Sequence, residues 1–132
     1  MTISPPPKPQ TIVKPRAGLG HILDAASYSI AGFARLMQET AARLELGAAA
    51  LAALLFALRG ATAGQWLILI CLILGVLLVE ALNTAIEVLV DRISPEWSIE
   101  AKHAKDLGSL AVGLALTITG LYVAAVVLGL FT

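Results

Sequence analysis

The chain has 132 residues, 58% of them hydrophobic, with a mean hydropathy of +0.88, which is too apolar for an ordinary soluble domain. Nine Lys and Arg balance nine Asp and Glu; the zero formal charge, with no basic helix and no zinc pattern, argues against a nucleic-acid binder. Cys71 is the single cysteine, so no disulfide forms within one chain, and its apolar surroundings suggest a packing role.

The first stretch, MTISPPPKPQTIVKPR, carries five of the six prolines and lacks the apolar segment of a secretory signal. Residues 1–17 read as an extended, solvated tail without fixed structure. A first helix is predicted over about 21–38, with Ile22, Ala26, Ile30, Phe33 and Met37 on one stripe. Asp24, Ser27, Arg35 and Gln38 fall off that stripe. The helix is amphipathic and too polar to span a membrane, so it lies at the membrane surface or packs on its own protein.

A second helix is predicted over about 46–63. Its apolar run from Leu46 to Leu58 reaches a spanning length of about 20 residues once Arg59 snorkels. GATAG, Gly60 to Gly64, reads as a tight turn. A third helix over 65–93 starts with Trp66 as an interfacial anchor and stops at Ser94-Pro95. Glu96 to Asp106 is polar and holds Trp97, a second candidate anchor. A fourth helix over 107–131 is uncharged and long enough to span. The expectation is an all-α membrane protein, with a surface helix followed by three transmembrane helices.

Three spans put the N-terminus and the 91–106 loop on one side. Lys8, Lys14, Arg16, Arg35, Arg43, Arg92, Lys102 and Lys105 lie there, and Arg59 alone lies opposite. The positive-inside rule makes the first side cytoplasmic.

The third span carries the most informative residues. Glu80, Asn83, Glu87 and Asp91 follow one another at spacings of three, four and four, which places them on one helix face. A carboxylate in hydrocarbon costs several kcal/mol unless it faces protein, water or a metal. Glu80 and Glu87 lie two turns, or about 10 Å, apart along the axis. Glu80 is the deeper, near the acyl chains, and suits a proton acceptor. Glu87 is shallower and, joined by Glu39, can hold a divalent cation together with substrate phosphates. Asn83 stands between the two levels and can both donate and accept hydrogen bonds. For Asp91 the plain alternative is an interfacial salt bridge to Arg92 or Lys102.

A second cluster is KHAKDLGS, Lys102 to Ser109. Lys105 can neutralise phosphate charge, and Asp106 can orient it, a ribose or the metal. The plain alternative is a positive flank followed by a helix-start acid, Asp106, favourable against the dipole. Gly108 and Ser109 permit close helix approach. His21 and His103 lack metal-ligand partners at helical spacing and read as surface groups. Arg43 and Glu45 read as an interfacial ion pair. No Walker-type loop or protein-kinase signature is present.

Together AASYS (25–29), QETAARLE (38–45), VEALNTAIEVLVDRI (79–93) and AKDLGSLAV (104–112) resemble the bacterial integral-membrane diacylglycerol kinase family, which includes undecaprenol kinases. The resemblance covers the chain from Gly18 onward and implies a single membrane-embedded kinase domain over 18–132. It implies a homotrimer of surface helix plus three membrane helices, in the inner membrane, with active sites shared between subunits. The implied reaction transfers the γ-phosphoryl of Mg-ATP to a lipid hydroxyl, with Mg²⁺ as cofactor. Carried over, Glu80 is the general base and Asn83 positions the reacting groups. Glu39 and Glu87 hold the metal-nucleotide, Lys105 and Asp106 contact the phosphates or nucleotide, and Tyr28 and Ser29 face the nucleotide from the surface helix.

Two positions depart from the family pattern. His21 stands where an arginine is common, and the interval from Gly32 to Glu39 is one residue shorter than usual. Deleting a residue rotates a helix by about 100°, so Glu39 reaches the site only through a local bulge or loop. KDLGS favours diacylglycerol over undecaprenol as the acceptor. Two readings from other classes compete: a non-catalytic membrane protein whose polar stripe binds a partner helix, and a proton or cation conduit. The conduit leaves unexplained why Gln65 to Val79 and Leu107 to Phe131 are uncharged.

Overall fold

The computed structural model describes residues 19–130. The proline-rich tail and Phe131 lie outside the described residues, and the last helix, expected to run to 131, already stops at Val127. Among those described, the chain forms α1 (Leu19–Leu36), α2 (Thr40–Arg59), α3 (Ala63–Ile93) and α4 (Ile99–Val127). The chain divides into two units, one ending at Ala31 and the other beginning at Gly32. The first holds the opening turns of α1, where Ser27 and Ser29 donate to the carbonyls of Asp24 and Ala25 at 2.7 and 3.0 Å.

α2, α3 and α4 are each long and apolar enough to cross a membrane. At 1.5 Å per residue they measure about 30, 46 and 43 Å, against about 30 Å of hydrocarbon. α3 and α4 therefore exceed the apolar layer. α3 packs mainly against α4, with α2 alongside.

Local signals fix the ends of the helices. At the end of α2, Gly60 takes φ 67° and ψ 41°, the left-handed conformation that glycine adopts without penalty. Ala61 then donates to the Phe56 carbonyl at 3.0 Å, closing a Schellman turn. Thr62 opens α3 with a capping box: its hydroxyl accepts from Gln65 N at 3.3 Å, and the Gln65 side chain accepts from Thr62 N at 2.8 Å. The turn is thus shorter than GATAG, and Ala63 and Gly64 already belong to α3.

The other limits also differ from those expected. α1 ends at Leu36, and Gln38 and Glu39 donate to the carbonyls of Arg35 and Leu36 at 3.0 Å in a tightened last turn. α2 starts at Thr40 rather than Leu46, because TAARLE is built of helix-favouring residues although it is polar. α4 starts at Ile99 rather than Leu107. Ser98 caps it, its hydroxyl accepting from Ala101 N at 3.1 Å. Asp106 is therefore inside the helix and not at its start.

A small core closes the end of the bundle nearest the α2–α3 turn. Ala52 and Phe56 of α2, Leu69 of α3 and Val126 of α4 are buried together. Phe56 meets Trp66 edge-on with centroids 5.7 Å apart, and Tyr122 at 6.0 Å. The Tyr122 hydroxyl donates to the Gln65 carbonyl at 3.0 Å. Trp66, expected as an interfacial anchor, packs against this core and stays partly exposed. Cys71, expected in packing, is exposed on α3. Much of the remaining apolar surface, including Leu51, Leu74, Leu78, Leu114, Ile118 and Leu121, is exposed in the single chain.

Candidate active site

Glu80, Asn83, Thr84 and Glu87 occupy one face of α3 at the i, i+3, i+4, i+7 spacing. Opposite them stand Glu39 and Ala41 at the start of α2, and Ser109 and Val112 of α4. These side chains line one open cleft of about 560 Å³. The structure thereby brings together Glu39, Glu80, Asn83 and Glu87.

Glu80 is only 4% exposed and enters no ion pair among the described residues. The charges of Glu39, Glu87 and Glu45 are within interaction range of it. Asn83 and Thr84 are both 8% exposed. Asn83 Nδ2 donates to Glu87 Oε1 at 3.3 Å. Thr84 was missed in the sequence, although as the i+4 neighbour of Glu80 it shares the stripe.

Glu39 reaches this cleft through the break between α1 and α2. It has extended backbone, φ −75° and ψ 134°, as the residue before α2. The irregular turn before it decouples its direction from the phase of α1, which supplies the local loop that the shortened interval demands. Its carboxylate pairs with Arg35 Nη1 at 2.5 Å.

Arg43 and Glu45 do not pair. Residues two apart on a helix point to opposite sides: Arg43 donates to Thr40 Oγ1 at 3.3 Å, while Glu45 turns inward. Glu45 Oε2 is buried without a hydrogen-bond partner. It lies at the rim of an apolar cleft of about 700 Å³ lined by Leu69, Ile73, Val76, Leu116 and Val123.

Lys105 and Asp106 lie in a different cleft, of about 650 Å³, with Asp91, Ser94 and Trp97. Asp91 pairs with Lys105 at 2.5 Å, and Lys102 with Asp106 at 2.5 Å. Asp91 thus pairs with neither of its expected partners, Arg92 and Lys102. Arg92 follows directly and points about 100° away, and Lys102 sits one turn before Asp106 in the same helix. Lys105 nonetheless lies within range of the Glu87 charge. Tyr28 and Ser29 lie in the other unit, on α1.

Three helices long and apolar enough to cross a membrane, with an open, acid-lined cleft among them, define an α-helical membrane protein. Comparison with known proteins identifies its kind. The family model for prokaryotic diacylglycerol kinase matches residues 27–128. A diacylglycerol kinase of Sinorhizobium sp is 46% identical over 116 residues, covering 88% of this chain and 85% of that protein. The diacylglycerol kinase of Pseudomonas aeruginosa is 40% identical over 118 residues, covering 88% and 95%. That of Escherichia coli K12 is 38% identical over 102 residues, covering 76% and 84%. The chain belongs to the prokaryotic diacylglycerol kinase family, and is an enzyme of the kinase class embedded in a membrane. This displaces the non-catalytic and conduit readings.

Membership implies a divalent cation. Among the described residues no three His, Cys, Asp or Glu side chains converge closely enough to hold one unaided. Glu39 and Glu87 nevertheless offer hard carboxylate oxygens to one cleft, where Arg35 offsets the charge of Glu39 alone. That donor set suits Mg²⁺, which commonly takes one or two carboxylates and completes its shell with water and substrate phosphates.

Proposed function

We infer that the protein transfers the γ-phosphoryl group of ATP to the hydroxyl of diacylglycerol, giving phosphatidic acid and ADP. The observation that carries this reading is the convergence of Glu39, Glu80, Asn83 and Glu87 on one cleft, with Glu80 buried and in no ion pair among the described residues. The names of the relatives, which are diacylglycerol kinases, support this acceptor.

Glu80 is the general base. It takes the proton of the lipid hydroxyl as the hydroxyl oxygen bonds to the γ-phosphorus and the bond to ADP breaks. Asn83 orients the reacting groups and, through its bond to Glu87, the shallower carboxylate. Glu39 and Glu87 would hold Mg²⁺, which supplies neutralisation of phosphate charge. Lys105 and Asp106 receive the phosphates or nucleotide, and Tyr28 and Ser29 contact the nucleotide from α1. Phosphoryl transfer requires mainly such positioning and charge stabilisation. The apolar cleft beside Glu45 offers acyl chains a path toward Glu80.

The working unit is a homotrimer in the bacterial inner membrane, with the kinase domain over 18–132 and the N-terminus and residues 91–106, the end of α3, the connection and the start of α4, on the cytoplasmic side. The exposed apolar faces of α2, α3 and α4 are consistent with burial against lipid and sister subunits. The positive residues on one side support the orientation.

The test is phosphorylation by purified protein in mixed micelles, with labelled Mg-ATP and with diacylglycerol and undecaprenol offered in parallel. Label in phosphatidic acid is expected. Label in undecaprenyl phosphate would retain the mechanism and replace the acceptor.

A further inference from the structure

We propose that Gly108 is a positioning residue for this reaction: the space left by its missing side chain is where the end of Asn83 lodges, and this packing aims the Asn83 amide at Glu87. The inference rests on the reading that Asn83 and Glu87 serve phosphoryl transfer.

Gly108 is buried on α4. A Cβ built there would overlap Asn83 Oδ1 and lie 3.2 Å from its Cγ and 3.8 Å from its Cβ. Elsewhere in the spanning helices, at Gly47, Gly75, Gly113 and Gly120, a Cβ would meet nothing within 4 Å. The requirement for glycine is therefore specific to the position facing Asn83.

Asn83 has one donor end and one acceptor end. Glu87, as a carboxylate, can only accept, so Nδ2 must face it, as it does at 3.3 Å. The carbonyl end is thereby turned to α4, where Oδ1 is buried without a hydrogen-bond partner. No hydrogen bond holds Oδ1, so its seat against the bare backbone of Gly108 does. With a methyl group at 108, the side-chain tip yields before the helix backbone does. Asn83 rotates, its amide leaves Glu87, and Glu87 loses its orientation.

The test is a double-mutant cycle in the full chain in micelles, comparing Gly108→Ala, Asn83→Ala and the double variant with the native protein. Melting temperature, kcat, the KM for Mg-ATP and the half-saturating Mg²⁺ concentration are measured for each. Gly108→Ala alone is expected to raise the KM and the Mg²⁺ requirement about tenfold, but to change them less than about twofold when Asn83 is already alanine. Equal losses on both backgrounds would overturn the proposal and leave Gly108 a helix-packing residue. Native kinetics in Gly108→Ala would overturn it too. If Gly108→Ala does not fold, melting carries the same decision: recovery of the fold in the double variant supports the collision with Asn83, and no recovery refutes it. Asn83→Ala alone judges the underlying reading. Native kinetics there would remove Asn83 from the machinery, while better function in the double variant than in Gly108→Ala would still establish the collision.

Discussion

Lys105 of α4 and Asp91 of α3 are joined at 2.5 Å across the helix pair, so the cation proposed to meet the phosphates is already held by an acid from another helix. Both side chains are substantially exposed, where an ion pair adds little to stability. On the proposed function, the pair aims Lys105. Lys105→Met is predicted to raise the KM for Mg-ATP at least about tenfold, or about 1.4 kcal/mol of binding. Asp91→Asn should raise it less, with kcat nearly native. Melting temperature should hardly move in either variant, and a large drop would assign the pair to the fold.

Glu87 is predicted to act on the metal-nucleotide. Glu87→Gln keeps the volume and can still pair with Asn83, but offers the cation a neutral oxygen in place of a charged one. The Mg²⁺ concentration for half-maximal activity should rise about tenfold or more. A titration curve that overlays that of the native protein would reject the assignment.

Much of this site was legible in the sequence because its residues share one helix. The 3.6-residue period alone puts Glu80, Asn83 and Glu87 on one face, and the uncharged run before them marks the depth. Less legible was everything set by a second helix. The Asp91–Lys105 pair depends on how α3 and α4 pack, which no local spacing encodes. Glu45 turns inward, whereas the short distance to Arg43 in sequence suggested an ion pair. α4 begins at Ile99 because Ser98 caps it, a local signal present in the sequence but outweighed there by the polarity of the residues that follow. Gly108 was recognisable as a site of close helix approach, but not that its partner is Asn83.

The aromatic core far from the acidic cleft should govern stability and not chemistry. Phe56 is fully buried against Trp66, Tyr122 and Leu69. Phe56→Ala is predicted to destabilise the protein by roughly 2–4 kcal/mol through the cavity left behind. The folded fraction should keep native kcat and KM, as measured by thermal inactivation alongside initial rates. A kcat loss in fully folded protein would show coupling between the two ends of the bundle.

The central claim is that the buried carboxylate of Glu80 takes the proton of the acceptor hydroxyl. Its most direct test is the rate of label transfer from Mg-ATP to diacylglycerol by Glu80→Gln at saturating substrates, with folding checked by melting temperature. The substitution keeps size and removes basicity, so kcat should fall about 10²–10⁴-fold, with nucleotide KM little changed. A Glu80→Gln protein that phosphorylates diacylglycerol at close to the native rate would contradict the account.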